Sequence, residues 1–248
     1  DARMALNNLE LLTRLKRTDQ QEASLTLAEI KTALQEKALV YDTSGESHYT
    51  LISALHKSMR GSDPDAALYW LGRMLASGEN PLYVARRMVR FAVEDIGNAD
   101  PEALNIALNG MEAYRFLGSP EGDLALAQVA AYLATAPKSN TIYAAYKKVQ
   151  ETIKQTGSLE TPLHIRNAPT GLMKAIGYGK GYQYAHDYRD AIDSQEYLPE
   201  KIRGRMFYHP VDRGYEQTIK KRLDQWRHRK KQMRSSIASS PGKADSED

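Results

Sequence analysis

The sequence predicts an all-α fold, and three observations carry that reading. Apolar residues recur at three- and four-residue steps in one segment after another. Four of those segments open on a polar residue followed by proline: Asp63-Pro64, Asn80-Pro81, Asp100-Pro101 and Ser119-Pro120. No region reads as β-rich. The opening pair has a physical reason. A short polar side chain accepts from an N–H of the first turn that has no partner within the helix, and proline at the first helical position lacks only an N–H that had none anyway.

In chain order, helices are expected near Ala2–Lys16 and Leu27–Lys37, followed by the polar, turn-rich YDTSGES at 41–47. HYTLISALHKSMRG then sets Leu51, Ile52, Leu55 and Met59 on one face. DPDAALYWLGRMLASG is the clearest unit. Asp63 caps it, Leu68, Leu71, Met74 and Leu75 repeat at helical spacing, and Gly78 offers a left-handed stop. Asn80-Pro81 opens LYVARRMVRFAVEDIG, Asp100-Pro101 opens EALNIALNGMEAYRFLG, and Ser119-Pro120 opens EGDLALAQVAAYLATA. Ser139 caps NTIYAAYKKVQETIKQTG, which Gly157 ends. Connections this short place consecutive helices side by side. The units share no fixed internal motif, so a globular helical domain is favoured over a solenoid. The last stretch, SSIASSPGKADSED at 235–248, is small and polar and is expected to be a disordered tail.

The 248 residues are 42% hydrophobic and 26% charged, ordinary values for a soluble globular protein. No apolar run is long enough for a membrane span, and DARMALNNLELLTRLKR does not read as a signal peptide. The opening lacks Met, so a fragment is expected. Cysteine is absent, which excludes disulfides and thiolate metal sites. Charge is uneven: Arg213–Arg234 holds nine Lys and Arg against two acids, a local +7. The whole chain is +3, so the remainder is −4.

Candidate chemistry is sparse. HIRNAPTGLMKAIGYGKGYQY at 164–184 invites a phosphate-loop reading, but Lys180 is followed by Gly181 rather than Ser or Thr. A dinucleotide fingerprint would need glycine where Tyr184 stands. The favoured reading makes Gly177 the stop of a short helix, followed by a strand-like segment that buries three tyrosine rings. The six histidines form no metal-ligand pair, and no metal site is expected. Ser53, Ser58 and Ser62 lack a nucleophile-elbow context. Glu94-Asp95 behind Arg86, Arg87 and Arg90 reads as an ion network rather than an acid–base pair.

Several strings resemble a known family. LISALHKSMRGSDPDAALYWLGRML, PLYVARRMVRFAVEDIGNADP, APKSN, HIRNAPTGLMK, GYGKGYQYAHD and QEYLP look like the C-terminal half of the replication-associated recombination protein A family. These are AAA+ ATPases, also called MgsA, with the Werner-helicase-interacting ATPase as a eukaryotic relative. DARMALNNLE resembles the family's sensor 2 motif, whose arginine reaches the γ-phosphate of ATP; that role falls on Arg3. A guanidinium beside a phosphate makes strong charge-assisted bonds. Met4 departs from the motif's usual second arginine, and the glycine that precedes the motif's aspartate is missing.

The resemblance implies a layout. Residues 1–41 would be the remainder of an AAA+ lid, 42–47 a linker, 48–210 a helical tetramerisation domain, and 211–234 a basic amphipathic helix before the tail. It implies a protein of replication-fork maintenance, recombination and repair, cytoplasmic and nucleoid-associated. Its partners would be copies of itself in a homotetramer, single-stranded or fork-end DNA, and single-stranded-DNA-binding protein, with no membrane. No Walker motif lies in this sequence, so no cofactor is expected here; ATP and magnesium belong to the intact protein. No catalytic residue is expected in the fragment, and the alternative is a scaffold with no part in nucleotide chemistry.

Two surfaces follow. Tyr69, Trp70, Tyr83, Arg86, Arg87, Arg90 and Phe91 are the residue types that interface centres favour, and they serve equally well as core. In RGYEQTIKKRLDQWRHRKKQMR, Tyr215, Ile219, Leu223 and Trp226 form a narrow apolar stripe. Lys220, Lys221, Arg222, Arg227, Arg229, Lys230 and Lys231 cover the rest, and read either as phosphate contacts for DNA or as a solubilising face.

Overall fold

The computed structural model describes Thr26 and residues 46–239. Helices α1 (Glu46–Arg60), α2 (Pro64–Ala76) and α3 (Pro81–Phe91) lead. Then come α4 (Glu102–Leu117), α5 (Glu121–Thr135), α6 (Thr141–Thr156), the short α7 (Gly171–Ala175) and the long α8 (Glu216–Ser239). No strand occurs among the described residues, so the all-α class holds.

The expected caps form at three of the Pro-opened helices. The Ala66 amide donates to Asp63 Oδ1 at 2.9 Å, the Leu82 amide to Asn80 Oδ1 at 2.9 Å, and the Glu102 amide to Asp100 Oδ1 at 3.1 Å. Gly78, at φ +84°, ends α2 by donating to the Leu75 carbonyl while Glu79 donates to that of Met74. This is the left-handed stop that only glycine enters freely. At α5 the device differs: Pro120 is the flanking residue, and the Ser119 hydroxyl donates to Asp123 one turn on at 2.6 Å.

The chain divides into two units. The first comprises residues up to Ala92 and Leu104–Ala136. In it α5 packs on α1, α2 and α3, and α1 packs on α2. Leu55, Met59, Leu71, Met74, Val84, Met88, Phe91, Leu126 and Leu133 are fully buried. Of the α2 stripe, Leu68 faces outward instead, and Ala67 takes its place in the core. Gly110 and Gly122 let α4 and α5 approach closely. A Cβ at Gly110 would lie 2.2 Å from Val129, and one at Gly122 would lie 2.9–3.2 Å from Tyr114.

The second unit comprises Val93–Ala103 and residues from Pro137 onward. It begins within a π-helical turn, Ala92–Ile96, which a 3₁₀ turn, Gly97–Ala99, follows. Between α6 and α8 the chain runs through short turns, with α7 the longest helical piece. A stretch with so few backbone ladders needs side-chain anchors to hold its shape, and several of those anchors come from α8.

Candidate nucleic-acid interface

Helix α8 starts on a buried carboxylate. Glu216 has no solvent exposure, and four groups donate to it. Ser139 Oγ (2.8 Å) and the Val211 amide (3.0 Å) bind Oε2; Tyr208 Oη (2.9 Å) and Thr141 Oγ1 bind Oε1. Burial alone would raise its pKa. The donors from Thr141, Val211, Ser139 and Tyr208 outweigh burial and hold the carboxyl below its ordinary value. The same cluster ties the start of α6 to the start of α8. One step earlier, the Tyr215 amide donates to the Ala99 carbonyl at 2.7 Å, and Gly214, at φ +52°, lies so close that a Cβ would sit 2.1 Å from that oxygen.

Further along, the cations of α8 turn toward an acidic, carbonyl-rich segment, 190–197. Arg229 pairs with Asp190. Lys230 stands 3.9 Å from Asp193 and 5.2 Å from the centre of the Tyr197 ring. Arg234 donates to the Ser194 carbonyl at 2.7 Å and the Gln195 carbonyl at 3.0 Å, with Glu196 3.6 Å away. Arg227 donates to the Tyr208 carbonyl at 3.2 Å, Lys220 pairs with Asp212, and Arg222 reaches Tyr215 Oη at 3.4 Å. Asp193 is itself buried. Burial opposes its charge, but donation from Tyr197 Oη at 2.6 Å and the Gln195 amide at 2.9 Å, together with the nearby Lys230, lowers its pKa. The helix continues past Arg234 to Ser239, with the Ser235 and Ser236 hydroxyls donating back to the carbonyls one turn earlier.

Docking is therefore shared between the cationic side and the stripe. Ile219 and Leu223 are half-buried, whereas Tyr215 and Trp226 keep over two-fifths of their surface exposed. Of the seven cations expected to meet phosphates, Lys221, Arg222 and Lys231 are the exposed ones.

The glycine loop is not a phosphate cradle. Gly177, Gly179 and Gly181 all have positive φ. The amides of Gly177, Tyr178, Gly179, Lys180 and Tyr182 donate to the carbonyls of Lys174, Met173, Leu163, Gly177 and Gly179, leaving none of the five for an anion. Gly177 is the helix stop, as expected. The strand-like segment with three buried rings is not formed, because three left-handed glycines in five residues curl the chain through consecutive turns. Tyr182 and Tyr184 are exposed, and only Tyr178 is partly covered, by Arg166 5.1 Å above its ring.

The residues expected at an oligomer interface separate. Phe91 is fully buried, edge-on to His56. Tyr69 is exposed and meets Trp70 edge-to-face at 5.0 Å. The Tyr83 ring lies 4.6 Å from that of His48 and 5.3 Å from the guanidinium of Arg86, while His48 Nδ1 lies 2.5 Å from Glu79 Oε2. Burial raises the Glu79 pKa, offset in part by the Asn80 amide. Arg87 is half-buried and Arg90 exposed. Arg3 lies outside the described residues. Among the described residues no group of three or more His, Cys, Asp or Glu is arranged to hold a metal ion, and no helix is long and apolar enough to cross a membrane.

The model of the MgsA AAA+ ATPase C-terminal family matches residues 61–227. The chain belongs to that family. A second model, the AAA C-terminal domain, matches residues 1–60, so the two meet after α1. Among curated relatives is Replication-associated recombination protein A of Coxiella burnetii, 50% identical over 92% of this chain and 52% of the relative. The Escherichia coli protein of the same name is 44% identical over 90% of this chain and 50% of the relative. ATPase WRNIP1 of Dictyostelium discoideum is 42% identical over 84% of this chain and 26% of the relative. The chain thus spans about half the length of the bacterial relatives it matches. It is the C-terminal domain of a protein of the MgsA AAA+ ATPase family.

Proposed function

We propose that this chain gathers copies of a AAA+ ATPase into a tetramer and adds a basic surface that meets DNA at replication forks and in recombination and repair. The observation that supports it best is the order of the two family matches, an AAA C-terminal domain followed directly by the MgsA C-terminal family, along nearly the whole chain. In the intact protein ATP and magnesium would be bound elsewhere, with Arg3 as this chain's contribution to the γ-phosphate.

Two features of the described residues agree with these roles. The first unit carries apolar side chains that its own core does not use: Phe116 is 89% exposed, beside exposed Leu117 and Leu124 at the α4–α5 turn, with Tyr69 exposed on α2. Such surface is what an assembling domain presents. The second unit presents Lys221, Arg222 and Lys231 from an α8 whose other cations fix its position. A cytoplasmic, nucleoid-associated setting and a single-stranded-DNA-binding protein as partner follow from the same reading.

Arg3→Ala in the intact protein separates this from a pure scaffold. The proposal requires ATP turnover to fall with assembly unchanged. Unchanged turnover would assign the chain to scaffolding alone.

A further inference from the structure

The solvent face of α6 brings aromatic rings and cations together. Ala145, Val149 and Thr152 turn inward, and Thr152 Oγ1 accepts from Arg205 at 3.3 Å. The opposite face carries Tyr143, Tyr146, Lys147, Gln150 and Lys154, each three or four residues from another of the set, so they line one side of the helix, with exposed Ile153 beside them seven residues on from Tyr146. Tyr143 is 49% exposed and Tyr146 is 64% exposed.

We infer that this face of α6 is a binding site for single-stranded nucleic acid. The tyrosine rings stack on unpaired bases, and Lys147 and Lys154 meet the phosphates beside them. Interleaved rings and cations are what a sequence-tolerant single-strand platform requires, because every base has a π-face and every linkage a charge. Charge complementarity favours a polyanion as the occupant: Lys147, Lys148 and Lys154 of α6 stand against its one acid, Glu151. The site also fits its place in the unit. The Glu216 cluster fixes the start of α6 to the start of α8, so the platform and the basic helix form one anchored body. The inference rests on the proposal that this chain meets DNA, and adds a site separate from α8 that distinguishes a single strand from a duplex.

The test is fluorescence anisotropy of a labelled oligothymidine, titrated with the chain over a range of salt, with a duplex of the same length alongside. Tyr143→Ala/Tyr146→Ala should weaken the single strand roughly 25-fold or more, at about five-fold or more per lost stacked base, and leave the duplex nearly unchanged. Tyr143→Phe/Tyr146→Phe should bind like the parent, because the rings remain. Lys147→Gln/Lys154→Gln should flatten the log–log salt slope by about 1.4. All these side chains face solvent, so circular dichroism should be unchanged.

Lys221→Gln/Lys231→Gln, run in parallel, separates the two ideas. If it weakens binding while the α6 tyrosine variant does not, the α6 site is wrong and the α8 reading stands. If only the α6 variants lose binding, the reverse holds. A parent chain that binds no single strand at low salt overturns both. Tyrosine variants that keep oligonucleotide binding but lose self-association would show that a second copy covers this face, which also overturns the inference.

Discussion

Replacing Glu216 by Ala should undo the anchor that joins α6 and α8. In the folded chain the carboxylate accepts from three hydroxyls and one amide without any solvent contact. A bond to a charged acceptor is worth about 1.5–3 kcal/mol net, but the three hydroxyls can rotate toward other acceptors or water once the carboxylate is gone. The Val211 amide cannot, and an unsatisfied buried donor costs about 1–3 kcal/mol. Adding the cavity left by the side chain, Glu216→Ala should destabilise by about 3–5 kcal/mol. Glu216→Gln should cost less, about 1–2 kcal/mol, because its amide oxygen still serves Val211 and Ser139 while its NH₂ donates to the rotatable hydroxyls of Thr141 and Tyr208.

The assay is urea unfolding followed by circular dichroism, repeated from pH 7 to pH 3. The pKa of Glu216 is lowered in the fold, so its contribution is complete above the ordinary carboxylate pKa and is lost as pH falls through the folded value. The gap between parent and Glu216→Ala should therefore be constant above about pH 5 and close in more acid solution. A gap under about 0.5 kcal/mol at pH 7, or one that does not narrow in acid, would refute the reasoning.

Other substitutions probe the same account. Gly214→Ala places a Cβ 2.1 Å from the Ala99 carbonyl oxygen at a left-handed φ, and should cost at least about 2 kcal/mol and speed amide exchange at the start of α8. Gly110→Ala drives a methyl into Val129 in the first unit; a loss of about 1–3 kcal/mol is expected, read as a lower melting temperature with helix content retained. Tyr197→Phe removes a donor from buried Asp193, so the Asp193 carboxyl, followed by NMR titration, should move toward higher pH.

Much of the helical frame was legible in the sequence, for local reasons. Asp63, Asn80 and Asp100 act within three residues, and Gly78 closes its helix through the two preceding turns. Leu51, Ile52, Leu55 and Met59 share a face by helical geometry alone, and all four are buried. What escaped depends on distant partners. Nothing near Glu216 announces a buried carboxylate, because its donors Ser139 and Thr141 lie some 75 residues away, just before and at the start of α6. The charge run in α8 was plain, but which cations would be engaged depended on Asp190, Asp193 and the 194–195 carbonyls folding back against it. Spacing also misjudged the tyrosines of 178–184, where the glycines that seemed to serve a strand instead curl the chain.

Sedimentation equilibrium of this chain across a concentration series tests the central claim most directly. The account predicts a tetramer that persists on dilution, weakened when Phe116 and Leu124 are replaced by Ser. A monomer at every concentration would contradict it, leaving those exposed apolar residues without the assembly role given to them.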